Sequence, residues 1–304
     1  MLWIATAQAG VLHDIAADVA ARLAALHPAP IKPAVPVPIA VKWRPQKLTP
    51  SVELGAPLLA LTAGDLDGDG KAELYAVTTR EVIAFALADH HIRELSRVAF
   101  TGEPAMPVPR DPVGAAVVEG KAVVASSSAF ARTIAVTWRG KQLVATPGDA
   151  GVELCAGERV ALVAGRNYFG DDRAGYYGVR CKDVIDAAGQ SKRVRAVLGL
   201  TGKLEISTAG PAFAIAKAGT AFDIGDLDRD GKPEIAYASA NAPGEPDEVR
   251  VVTLGEDERK TKLKKAFNAG GVAGLAVIDL DGAPAVIAAV RLVGATRVDL
   301  WRLN

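Results

Sequence analysis

Histidine, cysteine and aromatic residues are scarce in this chain of 304 residues: four histidines, two cysteines, and 5% Phe, Trp and Tyr together. Two cysteines permit one disulfide at most, and no Cys-x-x-Cys occurs. There is no Gly-x-Ser-x-Gly, no His-Glu-x-x-His and no phosphate-cradling glycine loop, so the common hydrolase, zinc-protease and nucleotide signatures are missing. Formal net charge is zero, without a basic run, which argues against nucleic acid as a partner. No apolar run reaches transmembrane length. Few aromatics also leave little for sugar stacking of the lectin kind. What remains is a chain with 50% hydrophobic residues, long enough for one large β-domain.

Against that background two copies of a nine-residue pattern stand out, Asp-Leu-Asp-Gly-Asp-Gly-Lys-Ala-Glu at 65–73 and Asp-Leu-Asp-Arg-Asp-Gly-Lys-Pro-Glu at 226–234. Each sets carboxylates at relative positions 1, 3, 5 and 9 around a glycine at position 6. A hard cation takes several oxygen ligands, and a short loop of this kind wraps them around it. The expected ligands are Asp65, Asp67, Asp69 and Glu73 in one loop, and Asp226, Asp228, Asp230 and Glu234 in the other. The backbone carbonyl of Lys71 or Lys232 adds a further oxygen. Glycine suits position 6 because the turn asks for a backbone conformation that other residues resist. Two calcium ions are expected, one per loop. A metal-free acidic hairpin is the plainer reading, but three or four carboxylates in one turn repel each other without a cation.

An EF-hand would need a bidentate Glu at position 12 and flanking helices. Position 12 is Ala76 in one copy and Tyr237 in the other, and the flanks are short apolar runs bounded by turn residues, as in buried strands. Each loop therefore joins two adjacent antiparallel strands.

With its apolar flanks, the string Gly-Asp-Leu-Asp-x-Asp-Gly-Lys-x-Glu resembles the FG-GAP/VCBS repeat. The resemblance implies that each repeat is one blade of a β-propeller and that its acidic loop binds calcium between the blade's first two strands. A third copy at 277–286 keeps the strands and two aspartates, Asp279 and Asp281. It lacks two loop residues and the terminal acid, so a blade is expected there without metal.

Spacing supports a radial repeat. Asp226 and Asp279 are 53 residues apart, and Asp65 and Asp226 are 161 apart, close to three such steps. Two degenerate blades should fill the gap, one over 113–145 and one over 152–207. The last blade ends at Leu303 a strand short, and residues 39–44 or their continuation to Leu48 would supply it, closing the ring as propellers do. The expected fold is all-β: a propeller of five four-stranded blades over 39–304, with six as the alternative count, preceded by a short helix.

Residues 1–38 form a separate segment. Val11, Ile15, Val19, Leu23 and Leu26 fall at helical spacing, predicting an amphipathic helix over 11–26 that packs on the propeller or docks a partner. A proline-rich spacer follows over 27–38. The first nine residues are apolar and end in Ala7-Gln8-Ala9, a match to a signal-peptidase site. They read as a signal-peptide remnant or as an ordinary frayed terminus. Together with calcium loops suited to the roughly millimolar calcium outside cells, they point to an extracytoplasmic protein.

Several residues invite smaller readings. Cys155 and Cys181 fall on strands one and three of one expected blade, about 9.6 Å apart, whereas a disulfide needs Cα atoms within about 7 Å. Either the two stay as thiols, or that strand assignment is wrong. His90 and His91 belong in a solvated turn. The aromatic and acidic stretch at 167–177 suits ligand contact, or is a plain hairpin loop. A non-catalytic binding or scaffold module, with a protein or carbohydrate ligand, is the favoured function. The alternative is a carbohydrate-active enzyme or lectin, with Glu153 and Asp223 as inner-strand acids, since glycoside hydrolysis needs two carboxylates at defined separation.

Overall fold

A computed structural model describes residues 35–304, apart from 89, 106–108, 149–151, 156–157, 161, 164, 166–174, 209–211, 243, 255–258, 269 and 293–295. The helix expected at 11–26, the terminal segment 1–9 and most of the 167–177 stretch lie outside the described residues. Pro36 to Asn304 form one compact unit.

The chain enters through two short strands, β1 (Gln46–Lys47) and β2 (Val52–Glu53). Blade one is β3 (Leu58–Gly64), β4 (Glu73–Thr78), β5 (Glu81–Ala88) and β6 (His91–Ala99). Blade two is β7 (Gly114–Glu119), β8 (Ala122–Ser127), β9 (Ile134–Arg139) and β10 (Gln142–Pro147). A separate hairpin follows, β11 (Val152–Cys155) and β12 (Glu158–Val160). Blade three is β13 (Tyr176–Ile185), β14 (Ser191–Gly199), β15 (Leu204–Ser207) and β16 (Phe213–Ile215). Blade four is β17 (Ala218–Gly225), β18 (Glu234–Ser239), β19 (Asp247–Leu254) and β20 (Arg259–Phe267). Blade five has β21 (Val272–Leu280), β22 (Ala283–Arg291) and β23 (Arg297–Arg302).

Within each blade the strands pair antiparallel in chain order. Blade five is completed from the other end of the chain: β1 pairs with β23 through Gln46–Arg302 and Lys47–Trp301, and β2 through Val52–Val298 and Glu53–Arg297. The result is a five-bladed all-β propeller, with no helix among the described residues. Closure uses the continuation to Leu48, as expected, and extends a few residues further.

The burial gradient across a blade explains the sequence pattern. Innermost strands have neighbours on both faces, so β3 reads Leu-Leu-Ala-Leu-Thr-Ala-Gly and its first five residues are buried. Outermost strands are wet on one side, and in β6 only Ile92 is buried. Space at the axis is short: a Cβ on Gly114 of β7 would lie 2.7 Å from the Leu59 Cβ of β3.

A closed ring of five blades has five interfaces, and five apolar clusters fill them. Leu61, Ile83, Ile287 and Leu300 lie between blades one and five, joined by Leu48, Val52 and Leu54 of the closing segment. Tyr75, Val77, Val123 and Ile134 lie between one and two. Leu198, Ile206, Phe222 and Ile235 join three to four, and Ala236, Val251, Leu275 and Val286 join four to five. Among the described residues the cluster between blades two and three is the smallest: Ala115, Val160, Val179 and Val197, with partly buried neighbours.

That interface holds the main correction. The series beginning at Val152 is not the first strand of blade three; β11 and β12 pair only with each other, and the blade starts at Tyr176. The strand separation that argued against a disulfide therefore does not apply. Cys181, on innermost β13, is disulfide-bonded, and no free cysteine occurs among the described residues. Val160 of the extra hairpin packs into the same cluster that Cys181 borders.

Candidate metal centre

Loop one runs from the end of β3 to the start of β4. Its carboxylates are organised by the loop's own backbone. The Gly68 and Gly70 N–H groups donate to Asp65 Oδ1 and Oδ2 at 2.8 and 3.0 Å. Asp69 N–H donates to Asp67 Oδ1 at 3.0 Å, and Lys71 N–H to Asp69 Oδ1 at 2.8 Å. Gly70, at position 6, has φ of 87°, the left-handed turn anticipated for it. Glu73 reaches back from β4, accepting the Leu66 N–H at 3.4 Å and the Tyr75 hydroxyl at 2.8 Å. Trp138, from β9 of blade two, donates its indole N–H to the Tyr75 oxygen at 2.9 Å. One oxygen from each of Asp65, Asp67, Asp69 and Glu73 comes within 4.8 Å of the others. Three of these acids are exposed and Glu73 is buried. Among the described residues none of the four forms an ion pair. Burial raises the Glu73 pKa, and the charges of Asp67 and Asp69 add to the shift. An all-oxygen donor set carrying up to four negative charges fits a hard divalent ion such as calcium.

Loop two joins β17 to β18 with the same framework. The Asp230 and Gly231 N–H groups donate to Asp226 Oδ1 and Oδ2 at 3.1 and 3.0 Å. Lys232 N–H donates to Asp230 Oδ1 at 2.8 Å, and Leu227 N–H to Glu234 Oε2 at 2.8 Å. Gly231 repeats the positive φ at 81°. The convergence is smaller: Asp226, Asp228 and Glu234 meet within 4.8 Å, and Asp230 is not in that group. The surroundings differ more. The Lys262 ammonium, from β20, donates to Asp228 Oδ2 and lies 3.2 Å from Glu234 Oε1. Thr253 donates to Glu234 Oε1 at 3.1 Å. Asp228 Oδ1 is buried without a hydrogen-bond partner. Burial drives the Glu234 pKa up to about 7, with Lys262 opposing, and raises that of Asp226. The loop is also covered: Ile39 N–H donates to the Asp228 carbonyl at 2.8 Å, and Trp43 packs against the cluster that holds Leu227.

The third copy is a tight hairpin between β21 and β22, with Asp281 and Gly282 both at positive φ. That is the turn a two-residue connection requires. Asp279 is ion-paired at 3.3 Å with Arg229, the loop-two residue that stands where loop one has Gly68.

The inner-strand acid Asp223 has a different role from the one expected of a catalytic carboxylate. It is fully buried. Its Oδ2 accepts from Lys182 at 2.7 Å and from the Val277 N–H at 2.6 Å, and its Oδ1 accepts from the Ile224 N–H at 2.9 Å. Arg180 Nε stands 3.8 Å away. Arg180 also donates from Nη2 to the Leu61 carbonyl, reaching from blade three to blade one across the axis. Arg180, Asp223, Val277 and Leu61 thus tie four of the five innermost strands together. Burial pulls the guanidinium pKa below its ordinary value, with Asp223 opposing. The side chain of Glu153, the other candidate acid, lies outside the described residues. His90, at φ of 66°, sits in the β5–β6 turn, and His91 Nδ1 is 3.3 Å from the Thr49 hydroxyl.

No protein-family model matches the chain, and no curated protein matches it. Among the described residues no helix is long and apolar enough to cross a membrane.

Three features escaped the sequence reading: Lys262, the Tyr75–Trp138 pair and the Arg180–Asp223 tie. Lys262 lies 28 residues beyond the motif it enters, in a strand whose charge pattern looks like any outer face.

Proposed function

We propose that this chain is a calcium-stabilised β-propeller of the FG-GAP/VCBS type, acting outside the cytoplasm as a non-catalytic binding or scaffold module for a protein or carbohydrate ligand. The observation that carries the calcium reading is the meeting of Asp65, Asp67, Asp69 and Glu73 within 4.8 Å, with no positive side chain paired to them among the described residues. The disulfide at Cys181 supports an oxidising compartment, since such bonds persist mainly outside the cytosol. The non-catalytic reading is supported by the engagement of Asp223, which is tied to Lys182, Arg180 and two backbone N–H groups instead of facing a substrate. Glycoside hydrolysis needs a pair of available carboxylates.

Calorimetric titration of the full chain with calcium tests this. Saturable binding at or below millimolar calcium, abolished at loop one by Asp67→Ala, is the expected result. Absence of binding at millimolar supply would remove the reading.

A further inference from the structure

The two loops share a motif but not a surrounding, and the register of the blades shows where they part. In blade one Leu74 pairs with Phe85, which pairs with Glu94, and the strand then bulges at Leu95 before Ala84 meets Ser96. In blade four Ile235 pairs with Val252, which pairs with Thr261, and the strand bulges at Lys262 before Val251 meets Leu263. Leu95 and Lys262 therefore hold the same place in their blades. A bulge leaves one residue out of the ladder and re-aims its side chain. In blade one the re-aimed residue is apolar and packs on the cluster containing Tyr75. In blade four it is an ammonium directed at Asp228 and Glu234.

We propose that Lys262 is a built-in cation that takes the place of calcium in loop two, so that the protein holds one calcium ion, at loop one, and not two. This rests on the calcium reading of loop one. The ammonium uses an oxygen of Asp228 and an oxygen of Glu234, both members of the convergent group. A divalent ion at that group would sit beside a positive charge held by two of the same carboxylates, and like charges at such separations repel strongly in a half-buried site. The lysine is also tethered to its strand, so an incoming ion must displace a partner that never leaves. Its side chain is only 16% exposed. Compensation is incomplete, because Asp228 Oδ1 stays without a partner. That oxygen is one a divalent ion would take once the lysine is gone.

The experiment is calcium calorimetry on the full chain and four variants. Wild type should bind one ion, Lys262→Met two and Lys262→Arg one. Asp67→Ala should bind none, and Asp67→Ala with Lys262→Met should bind one. Two ions in wild type, one retained in Asp67→Ala, or one in a folded Lys262→Met would each overturn the assignment while leaving the calcium reading intact. If Lys262→Met does not fold, Asp67→Ala decides alone: loss of all binding upholds the proposal and a retained ion refutes it. No ion in wild type with one in Lys262→Met would uphold Lys262 and remove the reading of loop one. No ion in either would overturn both.

Discussion

Loop one and loop two differ at a single one of the first seven motif positions, Gly68 against Arg229, yet they solve the same electrostatic problem by different means. Loop one keeps its four acids together with the three aspartates exposed, backs the buried Glu73 with a tyrosine hydroxyl, and has no paired cation among the described residues. Loop two is half-buried, packs under the chain's entry segment, and draws Lys262 into its carboxylates. The shared motif thus specifies the geometry of the turn, while the charge that faces its carboxylates comes from residues elsewhere in the blade.

The largest effect should come from the entry segment, whose Ile39 N–H donates to the Asp228 carbonyl of loop two. Removing residues 1–28 should leave a folded propeller. Removing residues 1–53 strips β1 and β2 from blade five, along with Leu48 and Val52 from its core, and exposes the β23 edge. Aggregation or loss of cooperative melting is expected; a soluble chain starting at Leu54 that melts cooperatively would refute closure through β1 and β2.

Next in size is the loss of Lys262. In calcium-free buffer Lys262→Met leaves the buried Glu234 and Asp228 without their counter-charge, at a cost on the order of 3–5 kcal/mol. The equivalent Leu95→Met should cost about 1 kcal/mol. Urea unfolding of the two variants compares them directly, and equal losses would erase the contrast.

Proton linkage gives a third, smaller contrast. Burial pushes the Glu234 pKa up to about 7 in the folded chain, against about 4.5 for an exposed glutamate in the unfolded one. The folded chain therefore holds this proton longer. The associated stability is present below about pH 4.5, falls as pH rises toward 7 and is level above it, a change on the order of 3 kcal/mol. Glu73 shifts the same way, but bound calcium would hold it ionised, so added calcium should flatten the loop-one contribution and leave that of loop two. Denaturation curves from pH 4 to 8, with calcium and with chelator, measure this. A stability that rises over this range in chelator would contradict it.

The smallest effect is calcium itself. With a dissociation constant of roughly 0.1 mM and about 1 mM calcium, one site adds about 1.4 kcal/mol. Asp67→Ala should forfeit that increment and Asp228→Ala should not, as read by the calcium dependence of thermal unfolding.

Much of the fold was legible because it rests on local signals. The motif glycines needed positive φ and have it at Gly70 and Gly231; the flanking apolar runs became β3, β4, β17 and β18; and a strand missing at one end was found at the other. The extra hairpin at Val152 was misread because a strand-forming run does not say which strand it pairs with, and of the two alternatives for the cysteines the structure takes the one in which that strand assignment was wrong. Lys262 was invisible for a related reason. In a regular strand its neighbours would fix which face it takes, but the bulge re-aims it, and a bulge leaves little trace in composition.

On the proposal made above, one of two like loops holds calcium and the other a lysine. The most direct measurement is a crystal structure grown in about 5 mM calcium, a concentration well above the affinities of extracellular calcium modules, with anomalous scattering used to identify the ions. One anomalous peak among Asp65, Asp67, Asp69 and Glu73 is expected, with Lys262 still against Asp228 and Glu234. A second peak among Asp226, Asp228 and Glu234 with the lysine turned away, or no peak at loop one, would contradict it.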